Sequence, residues 1–279
     1  MPNRLLTIIY SLLAALAFTP ISAFAAEMDQ PLRFGSVAMD VPAKMHHRLT
    51  PLTQYLSGIL KRPVTLKLSK NMPGAIEDVS TGSVELAYLT PVAYIKSHKK
   101  GNTRLVAKTV TKGRGSFQLM IVVKENSPIK TLADLKGRSF AFGDKAALLQ
   151  RAVVVGSGTK LESLGSYEFL GHYDNIVRAV LHGEFDAGIL KDTKAFKWKG
   201  KGIRILYSSD NLPPYNIAAS SNVSDKELAQ LQEAFLSLDA ANKEHKKIIK
   251  ALDKKYDGFA ATSDEEYDVV RKLVAPFSK

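Results

Sequence analysis

Tyr88, Thr90 and Tyr94 stand close together where a short apolar run gives way to Thr-Pro. Thr90-Pro91 reads as a helix start, a hydroxyl N-cap followed by a proline whose missing N–H is of no consequence in the first turn. The run before it, 85–89, reads as a strand. A helix that opens directly after a strand offers free N–H groups and the positive end of its dipole, so the chemistry on offer is the non-covalent holding of an anion. The same step recurs at Asp144–Leu148 after a strand over 139–142, and at His172–Asn175 after a strand over 167–170. Open parallel sheets bind ligands beyond the carboxyl ends of their strands. Tyr88, Thr90, Tyr94 and His172 are therefore candidate ligand-binding residues. Tyr94, one turn into its helix, equally fits a core position.

Covalent chemistry finds little support. The chain has no cysteine, which excludes disulfides, iron–sulfur clusters, thiol catalysis and Cys-type zinc sites. There is no H-E-x-x-H, no G-x-S-x-G and no phosphate loop ending in G-K-[ST]. Gly156-Ser157-Gly158 follows a helix and lacks the lysine such a loop needs. His46 and His47 are adjacent and point to different sides of a helix, which argues against a metal site. His172 with Asp174 is the one sequence-local pair that an enzyme could use, and a helix cap explains it equally well. No catalytic residue, metal or cofactor is assigned.

These positions need a scaffold that alternates strand and helix. Strands are expected over 32–38, 64–68, 85–89, 105–110, 117–123, 139–142, 167–170, 185–190, 203–207 and 216–219. Met45, Leu49, Leu52, Leu56 and Leu60 recur at helical spacing, placing an amphipathic helix over 43–61. Further helices are expected over 73–81, from Pro91 to Ser97, over 144–155, and over 174–182 with Gly183 as the stop. Ser224-Asp225-Lys226-Glu227 fits a capping box opening a helix to about Ala241, with helices over most of the remaining chain. This alternation predicts parallel sheets covered on both faces.

The chain of 279 residues carries 39 Lys+Arg against 27 Asp+Glu, a net charge of +12, and 45% apolar residues, which excludes a disordered or low-complexity protein. Residues 96–114 hold Lys96, Lys99, Lys100, Arg104, Lys108, Lys112 and Arg114 without an acid. Residues 191–204 are nearly as basic. Such faces are either simply solvated or a positive field that attracts small anions. Arg4 is the sole charge before Glu27, Leu5–Phe18 is nearly all apolar, and Ala23-Phe24-Ala25 has the small-x-small spacing of a signal-peptidase site. The run is shorter than the ~20 residues that span a bilayer. Residues 1–25 are thus expected to be a cleaved leader, and the mature chain a soluble periplasmic monomer. Export and the lack of interleaved aromatics argue against nucleic acid as partner.

Several stretches then resemble one family. "LTPLTQYLSGIL" (49–60), "ELAYLTPVAY" (85–94), "FQLMIVVKENSPIKTLADLKGRSFAFGD" (117–144) and "GHYDNIVRAVLHGEFDAG" (171–188) occur in the order seen in the phosphate/phosphite/phosphonate-binding proteins of ABC importers, over about residues 31–220. The resemblance implies two α/β lobes with the ligand in the cleft between them, and crossings near 111–117 and 208–215. Lobe one would be 26–112 plus 214–279 and lobe two 115–210. In the family's phosphonate binders a Ser-Thr-Ser run follows Gly-Asp-Pro and, with backbone N–H groups, holds phosphoryl oxygens. Here Lys145, Ala146 and Ala147 take that place, so backbone N–H groups and the Lys145 charge would carry an anion. The acidic residue usual after the histidine is replaced by Tyr173. The implied function is capture of a small anionic solute for an ABC permease. The alternatives are a sensor presenting its ligand to a membrane histidine kinase, and an enzyme of two-lobed α/β build.

Overall fold

The computed structural model describes residues 30–36 and 42–277. The expected leader, residues 1–25, lies outside the described residues, as do residues 37 and 38 of the first expected strand. The first half of the chain forms β1 (Leu32–Ser36), α1 (Pro42–Leu60), β2 (Val64–Leu68), α2 (Met72–Ser80), β3 (Leu86–Leu89), α3 (Pro91–Gly101), β4 (Arg104–Thr111), β5 (Leu119–Lys124) and β6 (Ser139–Phe142). There follow α4 (Leu148–Gly156), β7 (Ser166–Phe169), α5 (Tyr173–His182), β8 (Ala187–Lys191), α6 (Asp192–Trp198) and β9 (Ile203–Ser208). The chain closes with β10 (Asn216–Ala219), α7 (Asp225–Leu236), α8 (Lys243–Leu252), β11 (Tyr256–Ala260) and α9 (Asp268–Val274).

Among the described residues the strands form two sheets, ordered β11-β4-β10-β3-β1-β2 and β7-β6-β8-β5-β9. The first draws on both ends of the chain and the second on its middle. Each sheet is covered on both faces, because successive strand residues point to opposite sides. In the first, Phe34, Leu86, Val106 and Ile217 face α1, α7 and α8, while Ala87, Leu89, Leu105 and Ala218 face α2 and α3. In the second, Ile121, Val123, Phe140 and Ile189 face α4, and Met120, Val122, Ala141 and Leu190 face α5 and α6.

The sheets are mixed where parallel ones were expected. β2, β1 and β3 run parallel, as do β7, β6 and β8. β10 is antiparallel to β3 and β4, and β5 is antiparallel to β8 and β9. The physical reason lies in the connections. A parallel return within one sheet needs a crossover helix, whereas β5 and β10 each arrive directly from the other sheet through 112–118 and 209–215. These two segments touch midway, where Phe117 and Leu212 exchange backbone hydrogen bonds of 3.0 and 2.8 Å.

The C-terminal region also departs from expectation. The helix opened by Ser224 ends at Leu236 rather than near Ala241, and 256–260 is a strand where helices were expected. Residues 268–277, assigned from the sequence to the first lobe, pack on the second sheet instead. Val270 and Val274 of α9 are buried in the core beneath α4, with Val269, Leu273 and Phe277 against it.

Candidate functional site

Both crossing segments enter their sheets at the carboxyl ends of the parallel strands. Asn216, the first residue of β10, pairs with Leu89 at the end of β3. Leu119, the first residue of β5, pairs with Lys191 at the end of β8. The strand ends, where a ligand is expected, thus lie beside the hinge.

On the first-lobe side the edge is built of tyrosines. Tyr88 stacks on Tyr215 with ring centroids 5.2 Å apart, and its hydroxyl shares a 2.6 Å hydrogen bond with that of Tyr256. Burial pushes the Tyr88 hydroxyl well above its ordinary pKa, and the neighbouring tyrosines push it further. Burial likewise pushes Tyr215 up to about 12. These rings stay neutral across the physiological range and can donate O–H bonds. Arg48 lies close enough to act on both Tyr88 and Tyr215. It is anchored by two bonds to the Leu252 carbonyl, at 2.8 and 2.6 Å, with Asp253 at 3.9 Å.

The second lobe contributes Tyr173, Gln150 and the turn after β6. Gln150 accepts from the Gly143 N–H at 2.7 Å, while its amide reaches the Tyr173 hydroxyl at 3.5 Å. Burial raises the Tyr173 pKa, and Tyr215 adds to the shift. Asp144 also acts on Tyr215. At the end of β8, Asp192 is fully buried, bonded to Arg114 at 2.7 Å and to the Thr193 N–H at 2.6 Å. Lys191 lies over the Phe117 ring, 4.6 Å from its centroid. Burial lowers the Lys191 pKa, against the pull of Asp192.

The residues singled out in the sequence fall in different places. Tyr88 is at the hinge edge but wholly buried, its ring and hydroxyl already engaged. Thr90 caps α3, accepting from the Ala93 N–H at 3.1 Å. Tyr94 takes the core position that its place in the helix allowed. It is buried, donates to Asp264 at 2.7 Å and packs on Tyr267 at 4.7 Å. His172 is exposed and precedes α5 without a side-chain cap bond.

The helix expected from Asp144 begins only at Leu148. Residues 144–147 form a turn in which Asp144 occupies two of the donors expected to hold an anion. The Ala146 N–H bonds its carboxylate at 2.8 Å and the Ala147 N–H its carbonyl at 2.9 Å. Lys145 is exposed, and its carbonyl accepts from Arg151 at 3.1 Å. Lys191, Asp192, Tyr215, Tyr256, Gln150 and Arg48 were missed by sequence reasoning. Lys191 and Asp192 come directly after the strand at 185–190, so the rule that selected Thr90 and His172 selects them as well.

Two α/β lobes joined by crossing strands, with polar and aromatic side chains gathered at the strand ends beside the crossing, define a periplasmic binding protein. The family model described as "ABC transporter, phosphonate, periplasmic substrate-binding protein" matches residues 34–267, and the chain belongs to this family. It is 23% identical to the phosphate-import protein PhnD of Mycolicibacterium smegmatis, over 91% of this chain and 88% of that protein. Among solved structures it is similar to XAC2383 from Xanthomonas citri bound to chloride ion, with TM-score 0.72 and 17% identity over 88% of this chain and 96% of that one. It is also similar to PhnD1 from Prochlorococcus marinus in complex with methylphosphonate, with TM-score 0.67 and 18% identity over 89% and 98%. The family consists of transporter substrate-binding proteins, not enzymes.

Proposed function

We propose that this chain captures a small oxyanion of the phosphate or phosphonate class between its lobes and hands it to an ABC permease. The observation that carries the reading is the gathering of tyrosines at the strand ends beside the crossing, Tyr88 stacked on Tyr215 on the first-lobe side and Tyr173 linked through Gln150 to the turn after β6 on the second. Neutral O–H donors that need not shed a proton suit an anionic acceptor, and closure of the lobes desolvates the bond and strengthens it. The names of the relatives support the ligand class: one imports phosphate and another was solved with methylphosphonate.

The lobes are read as 26–112 with 214–267, and 115–210 with the α9 segment. The mature chain is a monomer exported by removal of residues 1–25. A permease is preferred to a sensor kinase as partner, because the matching family is one of transporter components. Calorimetric titration of phosphate, phosphite and methylphosphonate into the mature chain tests the reading. Saturable binding of at least one is expected, and failure of all three removes the ligand class.

A further inference from the structure

Among the described residues the Lys191 ammonium has no ion-pair partner, and no hydrogen bond engages it. It rests instead on the face of Phe117. The acids around it are committed elsewhere. Asp192 serves Arg114 and the Thr193 N–H, and Asp253 bonds the Lys255 N–H at 2.8 Å and lies beside Arg48. Lys255 and Arg114 add repulsion to the same spot. A partly buried cation with three N–H donors, one aromatic neighbour and no ion-pair partner among the described residues weakens the fold unless a ligand supplies that partner.

Its position suits that role. Lys191 ends β8 in the second lobe and pairs with Leu119, where a crossing strand enters. It acts electrically with Asp253 and Lys255, which belong to the first lobe. Its ammonium lies on Phe117, which exchanges backbone hydrogen bonds with Leu212 of the other crossing, and so sits beside the point where the lobes join. Lys145, the other candidate cation, is exposed on a turn whose Ala146 and Ala147 N–H groups are already used.

We propose that the Lys191 ammonium is the counter-charge on which the ligand's oxyanion group docks. The inference rests on the capture reading above and names the residue that confers anion selectivity. The test titrates phosphate, methylphosphonate and methanesulfonate into the mature chain, Lys191→Met and Lys145→Ala, with thermal unfolding of each protein with and without anion. Lys191→Met should weaken every anion that binds the unmutated chain at least tenfold. Its anion-free unfolding temperature should be equal or higher, because an unbalanced charge is removed. Lys145→Ala should bind within twofold of the unmutated chain. Binding by Lys191→Met within twofold overturns the assignment and leaves the capture reading standing. Loss of binding together with a fall in the anion-free unfolding temperature marks Lys191 as structural and overturns it too. If none of the three anions binds the unmutated chain, the oxyanion reading fails and this inference fails with it.

Discussion

The Tyr88 hydroxyl is wholly buried and has its bond to Tyr256 in place before any ligand arrives. Tyr88→Phe should leave the ring stack on Tyr215 intact and strip Tyr256 of that partner. The expected loss is about 1–2 kcal/mol of stability, read as a lower urea midpoint with an unchanged slope. Ligand affinity should change little, since the hydroxyl serves the protein itself. Single residues were legible in the sequence when their role was local. Thr90 followed by Pro91 announces its own helix start, and the structure has that cap. The strand-end position of Lys191 is legible in the sequence, but its meaning comes from what it lacks. That its neighbouring acids are spent on Arg114, Arg48 and backbone donors is a matter of contacts between residues far apart in the chain. The turn at 144–147 misled for a related reason, since Asp144 turns back on its own chain and closes the donors that an uncapped helix would have shown.

At the scale of elements, α2 and α3 approach so closely that Gly101 has no room for a side chain. A Cβ there would stand 2.1 Å from the Ser80 carbonyl oxygen, a backbone atom that cannot swing away. Gly101→Ala should therefore cost about 1–3 kcal/mol, seen as a reduced unfolding temperature. A second expectation concerns the link from α3 to α9. Burial opposes ionisation of Asp264, but hydrogen bonds from Arg271 and Tyr94 outweigh it and hold the carboxyl below the usual aspartate range. The unfolded chain has the ordinary value, roughly 3.9. The stabilisation is thus fully present above about pH 4 and is lost as pH falls through the folded value. Asp264→Asn should flatten that acid limb of an unfolding-temperature profile; an unchanged limb would assign it to other carboxylates. Element types were legible from periodicity, whereas strand direction was not. β5 and β10 carry the same apolar patterning as their parallel neighbours, and only the route of the chain between lobes sets them antiparallel. α9 was unreadable for the same reason, as its buried valines fit a core of either lobe.

The whole molecule carries a net charge of +12, so anion capture should begin with electrostatic attraction. Association rates for methylphosphonate should fall as salt rises, because exposed charges are screened beyond about 10 Å at 0.1 M; rapid-mixing measurements check this. Closure over the ligand should also shrink the molecule. Small-angle scattering with saturating ligand should give a smaller radius of gyration than without it, and no change would count against a closing cleft. Intact mass of the protein recovered from the periplasm of its host should correspond to a chain starting near Ala26.

The placement of α9 adds a constraint on that motion. Two crossings alone act as a single pivot about which one lobe swings freely. Here the chain passes from one lobe to the other a third time, between Tyr267, buried against α3 in the first lobe, and α9, whose Val270 and Val274 are locked into the far core. Every swing must then be matched by bending at the start of α9, where it follows Tyr267 directly, or by slippage of α9 against its neighbours. The C-terminus thereby works as a tether that limits the range of opening, so changes there can retune capture without reaching the ligand at all.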